Sequence, residues 1–219
     1  MNDAKRINQG SPRFSALFQE NLSFRAPQSL ALLGNADLLE SKKLALICSV
    51  KCPGDLILKT FDFMQVLRES EMVMASGFHS PMEKECLRIL LKGKQPIIIS
   101  LPRGIENMRI PTAYRKPLTD GRMLVLSCLP RSEKRVTAET AITNNRFIAA
   151  LSEAVFVPYT APNWKTEALC SQLVSWGKKV HTFQHPENMN LIQLGVVPLE
   201  PTRGTVKPEL SKLISSNLR

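Results

Sequence analysis

Two segments of the chain have residue types and spacing suited to binding an anion. The first contains an arginine, and the second is a later loop with a lysine and a threonine. The segment from 143 to 157 is predicted to place Arg146 at the mouth of a helix that runs into a buried strand. The next turn between a strand and a helix contains Lys165 and Thr166. At the carboxyl ends of parallel strands, helix N-termini and basic side chains bind phosphates and other anions. Together the two segments predict a phosphate site.

Two earlier loops contribute further groups of the same kind. Ser49 and Lys51 follow the first apolar run, and Ser76 and Gly77 end the second. Short hydroxyls and cations beside the backbone are the groups that contact phosphate oxygens. Trp164 lies at the start of the later helix, where its ring could either stack on a nucleobase or cover the core. The four loops therefore predict a site for a phosphate-containing ligand.

Each of these residues also has an interpretation without a ligand. Arg146 could form an ion pair with a surface carboxylate such as Glu139 or Glu153. Thr166 could cap its own helix, and Lys165 could simply lie in solvent. These alternatives remain open on the sequence alone.

The charge of the chain favours an anionic partner. Lys and Arg number 29 and Asp and Glu number 19, for a net charge of +10 and a pI near 9.6. Such an excess is most often associated with nucleic acid, although an evenly spread basic surface is the simpler alternative. Arg103, Arg109, Arg115 and Lys116 lie on one long loop, where they could follow phosphates or be solvated.

Metal, cofactor and membrane functions find no support in the sequence. The odd number of five cysteines, mostly beside apolar residues, indicates buried thiols in a reducing compartment. Cys48 and Cys52 have no second pair, and His181 and His185 have no third ligand nearby, so we predict no metal site. No apolar run approaches the ~20 residues of a membrane span. We expect a cytoplasmic protein with no cofactor and no catalytic residue.

The elements that must position these residues alternate between strands and helices. Apolar runs predict strands at 44–50, 72–75, 96–101, 123–127, 154–158 and 179–183. Amphipathic patterns predict helices at 55–70, 81–92, 138–151, 163–176 and 188–194, and residues 102–121 are expected to be irregular. This alternation predicts an α/β fold: a Rossmann-like, doubly wound, mainly parallel sheet of about six or more strands with helices on both faces.

The same patterns suggest how the chain is divided. We predict an N-terminal extension at 1–25, a Rossmann-like domain at 26–200 and a polar tail at 201–219. Within the extension, Phe14, Leu17 and Phe18 could dock as a short helix.

Six segments, in order and with matching spacing, resemble the DNA-processing protein A family, also called DprA or Smf, over residues 30 to 199. The closest is Asn145–Ser152, which is similar to the family's R-N-R-I-I-A-G-L-S signature. Ser76-Gly77-Phe78 with Glu83 resembles its S-G-x-A-x-G-I-D segment. The others are Leu33–Asn35, Gly93–Ile99 with Gly104–Glu106, Ala161–Thr166 and Asn190–Gly195.

The resemblance implies a Rossmann-like domain that binds single-stranded DNA, forms a homodimer and helps to load a recombinase, without catalysis. It adds the signature residue Asn145 to the candidate ligand-binding residues. These are Ser49, Lys51, Ser76, Gly77, Asn145, Arg146, Trp164, Lys165 and Thr166.

The chain departs from the family pattern at several of these positions. The family's G-S-R after the first strand is Cys48-Ser49-Val50 here, and Asn144 stands at the first arginine of R-N-R. The S-G of the later loop is Ala161-Pro162, and a proline lacks the N–H that an anion would contact.

Two alternative functions remain open on the sequence. One is a nucleotide sensor or nucleotide-processing protein of the wider superfamily that includes the LOG-type phosphoribohydrolases. Their P-G-G-x-G-T-x-x-E loop has lost its glycines here, and Leu169 stands where their glutamate would be. The other is a scaffold that keeps the fold without the ligand, which the net charge argues against.

Overall fold

The computed structural model describes residues 4–12, 14, 17 and 25–200. These residues form one sheet of nine strands in the order β1-β2-β6-β5-β4-β3-β7-β8-β9. The strands are β1 (Lys5–Asn8), β2 (Ser29–Gly34), β3 (Lys43–Leu46), β4 (Val73–Ser76), β5 (Ile97–Ser100), β6 (Met123–Ser127), β7 (Ala154–Phe156), β8 (Lys179–Phe183) and β9 (Val197–Leu199).

Six α-helices and two 3-10 helices connect the strands in the described part of the chain. The α-helices are α1 (Gly54–Leu67), α2 (Pro81–Leu91), α3 (Thr112–Thr119), α4 (Ala138–Leu151), α5 (Lys165–Ser175) and α6 (Met189–Gln193). The 3-10 helices are Ala36–Leu39 and Pro186–Asn188. None of the helices described is long and apolar enough to cross a membrane.

The strand order confirms the doubly wound, mainly parallel fold. All pairs among strands β3 to β9 are parallel. Strand β2 pairs antiparallel with both β1 and β6. From β3 the chain winds outward through β4, β5 and β6, and then returns to place β7 on the other side of β3. The carboxyl ends of β3 and β7 therefore form the topological switch point, where ligands bind in open α/β sheets.

Helices cover both faces because the central strands are apolar on both. Leu44 and Leu46 of β3 face a core that α1 and α2 cover, whereas Ala45 faces a core that α4 and α5 cover. All four residues of β3 are buried. Strands buried on both faces read as continuous apolar runs, which is why the sequence identified them.

Two elements differ from the sequence prediction. Residues 102–121 are not irregular throughout, because α3 lies within them; Pro117 inside this helix interrupts the pattern by which helices are recognised. The strand β1 is also unexpected, since it pairs residue by residue with β2 and extends the sheet. Phe14 is buried, as the docking prediction requires, and Leu17 packs against the same core; Phe18 lies outside the described residues.

Candidate functional site

The loops after β3 and β7 meet at the switch point through a pair of hydroxyls. Ser49 donates its hydroxyl to Oγ1 of Thr160 at 2.9 Å, and both side chains are buried. The Ser49 N–H also points to the Tyr159 carbonyl, at 3.5 Å. The structure thus places Ser49 inside the junction of the two loops, with its hydroxyl engaged by the protein itself. Lys51, two residues further on, is exposed at the same edge.

A buried carboxylate joins the loop after β3 to the loop after β4. Glu83 on α2 accepts the Cys48 N–H through Oε1 at 2.8 Å and the His79 N–H through Oε2 at 2.8 Å. It also forms a capping box with Ser80 at the start of α2. Burial raises the pKa of Glu83, and the three backbone N–H groups counter that rise without cancelling it. Glu83 therefore sets the relative position of two loops of the site.

The turn after β4 is closely packed around a glycine. A Cβ built on Gly77 would lie 2.6 Å from Cδ2 of His79 and 3.1 Å from Nδ2 of Asn144. Ser76 is fully buried, and its hydroxyl accepts the Phe78 N–H at 3.1 Å. Ser76 and Gly77 thus shape the turn in this structure.

Asn144 connects α4 to the strand next to that turn. Its amide accepts the hydroxyl of Ser100 at 2.6 Å and donates to the Ser100 carbonyl at 3.0 Å. The side chain is fully buried. In the sequence, this position differed from the family pattern, which has an arginine there. A polar residue among apolar ones in a helix does not identify a partner 44 residues away.

Basic side chains surround the carboxyl ends of β4, β5 and β6. The loops after β5 and β6 pack together, since the Gly104 N–H donates to the Glu133 carbonyl at 2.7 Å. These loops expose Arg103, Arg131, Lys134 and Arg135. Partial burial lowers the pKa of His79, and the charges of Lys84 and Arg103 lower it further. The field at this edge is therefore positive, as an anion site requires.

Arg146 does not lie at the mouth of a helix, which corrects the sequence prediction. The helix α4 begins at Ala138 with Thr137 as its cap, so Arg146 comes eight residues after the first helical residue. Its side chain is exposed, and Nε donates to Oε1 of Gln172 on α5 at 2.9 Å. The neighbouring Asn145 is half-buried on the same helix.

Glu153, one of the carboxylates suggested as a partner of Arg146, lies elsewhere. It accepts the backbone N–H of Lys43, whose ammonium lies 3.5 Å from its Oε1. The alternative in which Arg146 pairs with Glu153 is therefore wrong, because Glu153 follows α4 and reaches β3 instead.

The loop after β7 presents a tryptophan at the start of α5. Trp164 precedes the first helical residue, Lys165, and its side chain is 40% exposed. Lys165 is exposed and Thr166 is half-buried. No side-chain hydrogen bond caps α5 from Trp164, so the ring is not engaged as a cap.

The described residues contain no group of three or more His, Cys, Asp or Glu side chains that could hold a metal ion. His185 pairs with Asp55 through Nε2 at 2.7 Å. His181 is buried in β8, and burial lowers its pKa to about 4. The five cysteines are free thiols. The two histidines therefore have different surroundings and do not act as a pair.

Comparison with known proteins identifies one family. The model of the DNA recombination-mediator protein A family matches residues 5–186. Among solved structures, DNA processing protein A from Streptococcus pneumoniae is similar with a TM-score of 0.73 and 20% identity, covering 90% of this chain and 71% of that one.

Two further structural comparisons extend the result. DNA processing protein A from Helicobacter pylori, a structure described for its single-stranded DNA binding mode, gives a TM-score of 0.74 at 15% identity. It covers 96% of this chain and 97% of that one. The molybdenum cofactor carrier protein of Chlamydomonas reinhardtii is more distant, with a TM-score of 0.52 and 11% identity over 78% and 98% of the two chains. No curated protein sequence matches the chain.

Proposed function

The chain belongs to the DNA recombination-mediator protein A family, and we propose that it binds single-stranded DNA along the carboxyl edge of its sheet. The observation that carries this proposal is that several basic loops lie along the carboxyl edge of the sheet. The loop after β3 carries Lys51, the loop after β5 carries Arg103, and the loop after β6 carries Arg131. Parallel strands bring these loops to one edge.

The arrangement suits a polyanion better than a single phosphate. The exposed cations extend from the loop after β7 to the loop after β6, a span of five neighbouring strands. Adjacent strands lie about 4.8 Å apart, so the edge is as long as several nucleotides of an extended strand. Several phosphates would therefore be neutralised at once.

The predicted ligand residues have different roles in this proposal. Lys51 and Lys165 contact phosphates, and Trp164 offers a surface on which a base stacks. Ser49, Ser76 and Gly77 are buried and shape the loops from within. Asn145, Arg146 and Thr166 complete the predicted set: Thr166 near the start of α5, and Asn145 and Arg146 further along α4, where a strand leaving the edge would pass.

The proposed role is non-catalytic and belongs to DNA processing in the cytoplasm, with a recombinase as partner. The family's name supports the recombinase. A homodimer is part of the same proposal, and β9 supports it because it is the last strand of the sheet in the described chain and leaves Val197 49% exposed. Light scattering on the purified chain tests the dimer directly.

The first prediction concerns the basic edge. The double substitution of Lys51→Gln and Arg103→Gln should weaken binding of a labelled ~20-nucleotide oligo-dT about five- to tenfold, because it removes two cations that neutralise phosphates. The slope of log affinity against log salt should fall by about 0.7 for each of these cations that is removed. Fluorescence polarisation at several salt concentrations measures both.

The matched control moves the same charge change to the amino edge of the sheet. Lys92 and Lys94 are exposed between α2 and β5. The double substitution Lys92→Gln and Lys94→Gln should change the affinity less than about twofold. Equal losses in the two double variants, or no oligonucleotide binding at low salt, would overturn the proposal. An Arg146→Ala arm separately tests the sequence-based assignment of that residue.

A further inference from the structure

A groove of about 500 Å³ lies between α5 and α6, beside the loop after β7. Its walls are formed by Trp164, Glu167 and Ser171 on one side and by Asn190 and Gln193 on the other. Pockets for small ligands have volumes of about 300–1,000 Å³ and combine apolar surface with a few placed polar groups. The groove has the size and lining of a site for one nucleobase and its sugar.

Glu167 is held in this groove as a pair of acceptors. Its Oε2 accepts the Asn163 N–H at 2.6 Å, and its Oε1 accepts Nδ2 of Asn190 at 2.6 Å. Asn163 itself has a left-handed conformation, with φ of 62°, which asparagine adopts more readily than most residues. Each carboxylate oxygen retains a second acceptor position. The carboxylate is thus oriented in advance for two adjacent N–H donors.

Trp164 provides the apolar side of the same groove. The residue is 40% exposed although tryptophan is usually covered, and it lies three residues before Glu167. Stacking of a base on an aromatic ring contributes about 1–3 kcal/mol and tolerates any base. Stacking would hold the base, and the carboxylate would select it.

Hydrogen bonds connect the groove to the switch point. Asn190 donates through Nδ2 to the carbonyl of Thr160 at 3.2 Å, and Thr160 accepts the hydroxyl of Ser49 at 2.9 Å. The groove therefore begins where the proposed path of the phosphates passes between β3 and β7. A nucleotide at the switch point could turn its base into the groove.

We propose that this groove binds a guanine base of the single strand, with Glu167 accepting its N1–H and exocyclic amino group while Trp164 stacks on the ring. Guanine is the common base whose Watson–Crick edge has two adjacent donors, and a carboxylate accepts both. Thymine and cytosine lack such a pair. This inference rests on the proposed binding of single strands, and free guanine nucleotides share the same edge.

The test uses a ~15-nucleotide oligo-dT with one central guanine, inosine or adenine, which avoids guanine-rich structures. Inosine retains the N1–H and lacks the exocyclic amine. The guanine strand should bind about tenfold more tightly than the inosine strand, as expected for the one hydrogen bond to a charged acceptor that inosine lacks. In Glu167→Gln this preference should disappear while binding of plain oligo-dT is kept. Glu71→Gln, at an exposed position before β4, makes the same charge change elsewhere and should keep the preference.

The outcomes separate this inference from the proposed function. Binding of oligo-dT without preference for guanine in the unmodified protein overturns the groove and leaves DNA binding intact. Loss of the preference in both variants also overturns it, because the base is then read elsewhere. If no oligonucleotide binds, thermal stabilisation by GMP over IMP that depends on Glu167 supports the groove as a site for the free nucleotide and sinks the proposed function alone. The comparison of guanine with inosine needs no variant, so it stands even if a substitution prevents folding.

Discussion

Single buried polar residues determine the geometry at the carboxyl ends of the central strands. Glu83 connects the loops after β3 and β4 across 35 residues of sequence, and Asn144 connects α4 to β5. A buried donor or acceptor left without its partner costs about 1–3 kcal/mol, so these contacts strongly favour one arrangement of the loops. The cations of the proposed DNA site are exposed and need such buried contacts beneath them to hold their loops in place.

His181 illustrates the opposite case at the same scale. Its imidazole is buried, and neither ring nitrogen has a hydrogen-bond partner in the described structure. Burial lowers its pKa to about 4, and Lys179 adds to the effect. In the unfolded chain this imidazole binds a proton near pH 6.5, whereas in the folded chain it does so only near pH 4. The free energy of unfolding therefore falls as the pH is lowered from 6.5 to 4.

We therefore predict that His181→Leu removes part of the acid sensitivity of the fold. Between pH 7.5 and pH 5.0 the unmodified protein should lose about 2 kcal/mol more of its unfolding free energy than the variant does. Urea unfolding of both proteins at the two pH values measures the difference. An equal loss in both would show that the imidazole titrates normally in the folded chain.

Among the elements, the junction of α1, α2 and β5 depends on a close backbone contact. Gly93 follows α2, and a Cβ built there would lie 2.2 Å from the carbonyl oxygen of Arg68, which caps α1. That carbonyl also accepts the N–H groups of Lys94 and Gln95, at 2.9 and 3.2 Å. The end of α2 is thus docked on the end of α1 before the chain enters β5.

We expect Gly93→Ala to lower the unfolding free energy by about 1–3 kcal/mol, because a methyl group forced into a packed contact moves the backbone. Gly54→Ala is the matched control. Gly54 begins α1 and a Cβ there would meet nothing within 4 Å, so alanine should be neutral or stabilising by about 0.5–1 kcal/mol. Urea unfolding of both variants measures the two changes in unfolding free energy. No loss of stability in Gly93→Ala would contradict the close contact between Gly93 and the Arg68 carbonyl.

At the scale of the whole molecule, one arginine connects the first strand to the neighbouring strand β2 and to a distant loop. Arg6 of β1 donates through Nε to Oε1 of Glu106 at 3.0 Å and through Nη1 to the Ser29 hydroxyl at 2.6 Å. Burial raises the pKa of Glu106, but the hydrogen bond and charge of Arg6, with a backbone hydrogen bond and the charge of Arg131, hold that pKa below its ordinary value. The N-terminal strand is in this way attached to the loop that carries the basic residues after β5.

Arg6→Met should lower the unfolding free energy by about 1.5–3 kcal/mol, since it removes several charged hydrogen bonds at a partly buried site. The effect should be smaller in acid, because a carboxyl with a lowered pKa contributes its stability above its unfolded pKa and loses it as pH falls. Arg88→Met is the control, since Arg88 pairs with Glu85 while 72% exposed and should change stability by at most about 0.5 kcal/mol. Urea unfolding near pH 7 and pH 4 tests both; equal effects of the two substitutions would show that β1 is not held by Arg6.

The sequence by itself determined the parts that follow from local patterns. The strands Met123–Ser127 and Lys179–Phe183 and the helix Ala138–Leu151 have the bounds that their residues predict. A strand buried on both faces must be apolar throughout, and a helix must repeat its apolar residues every three or four positions. Such signals arise between near neighbours in the chain. The six ordered segments identified the family in the same way, and the match over residues 5–186 confirms it.

Only the tertiary structure decided which of these residues meet. In the structure the Ser49 hydroxyl binds Thr160, and Arg146 contacts Gln172 from within a helix and not from its start. Strand β1 pairs with β2. It also brought Glu167 and Asn190 together to form a groove. These contacts join residues many positions apart, and their existence depends on the order of strands in the sheet. A pattern of near neighbours carries no information about that order, because any strand of similar composition could occupy the adjacent place.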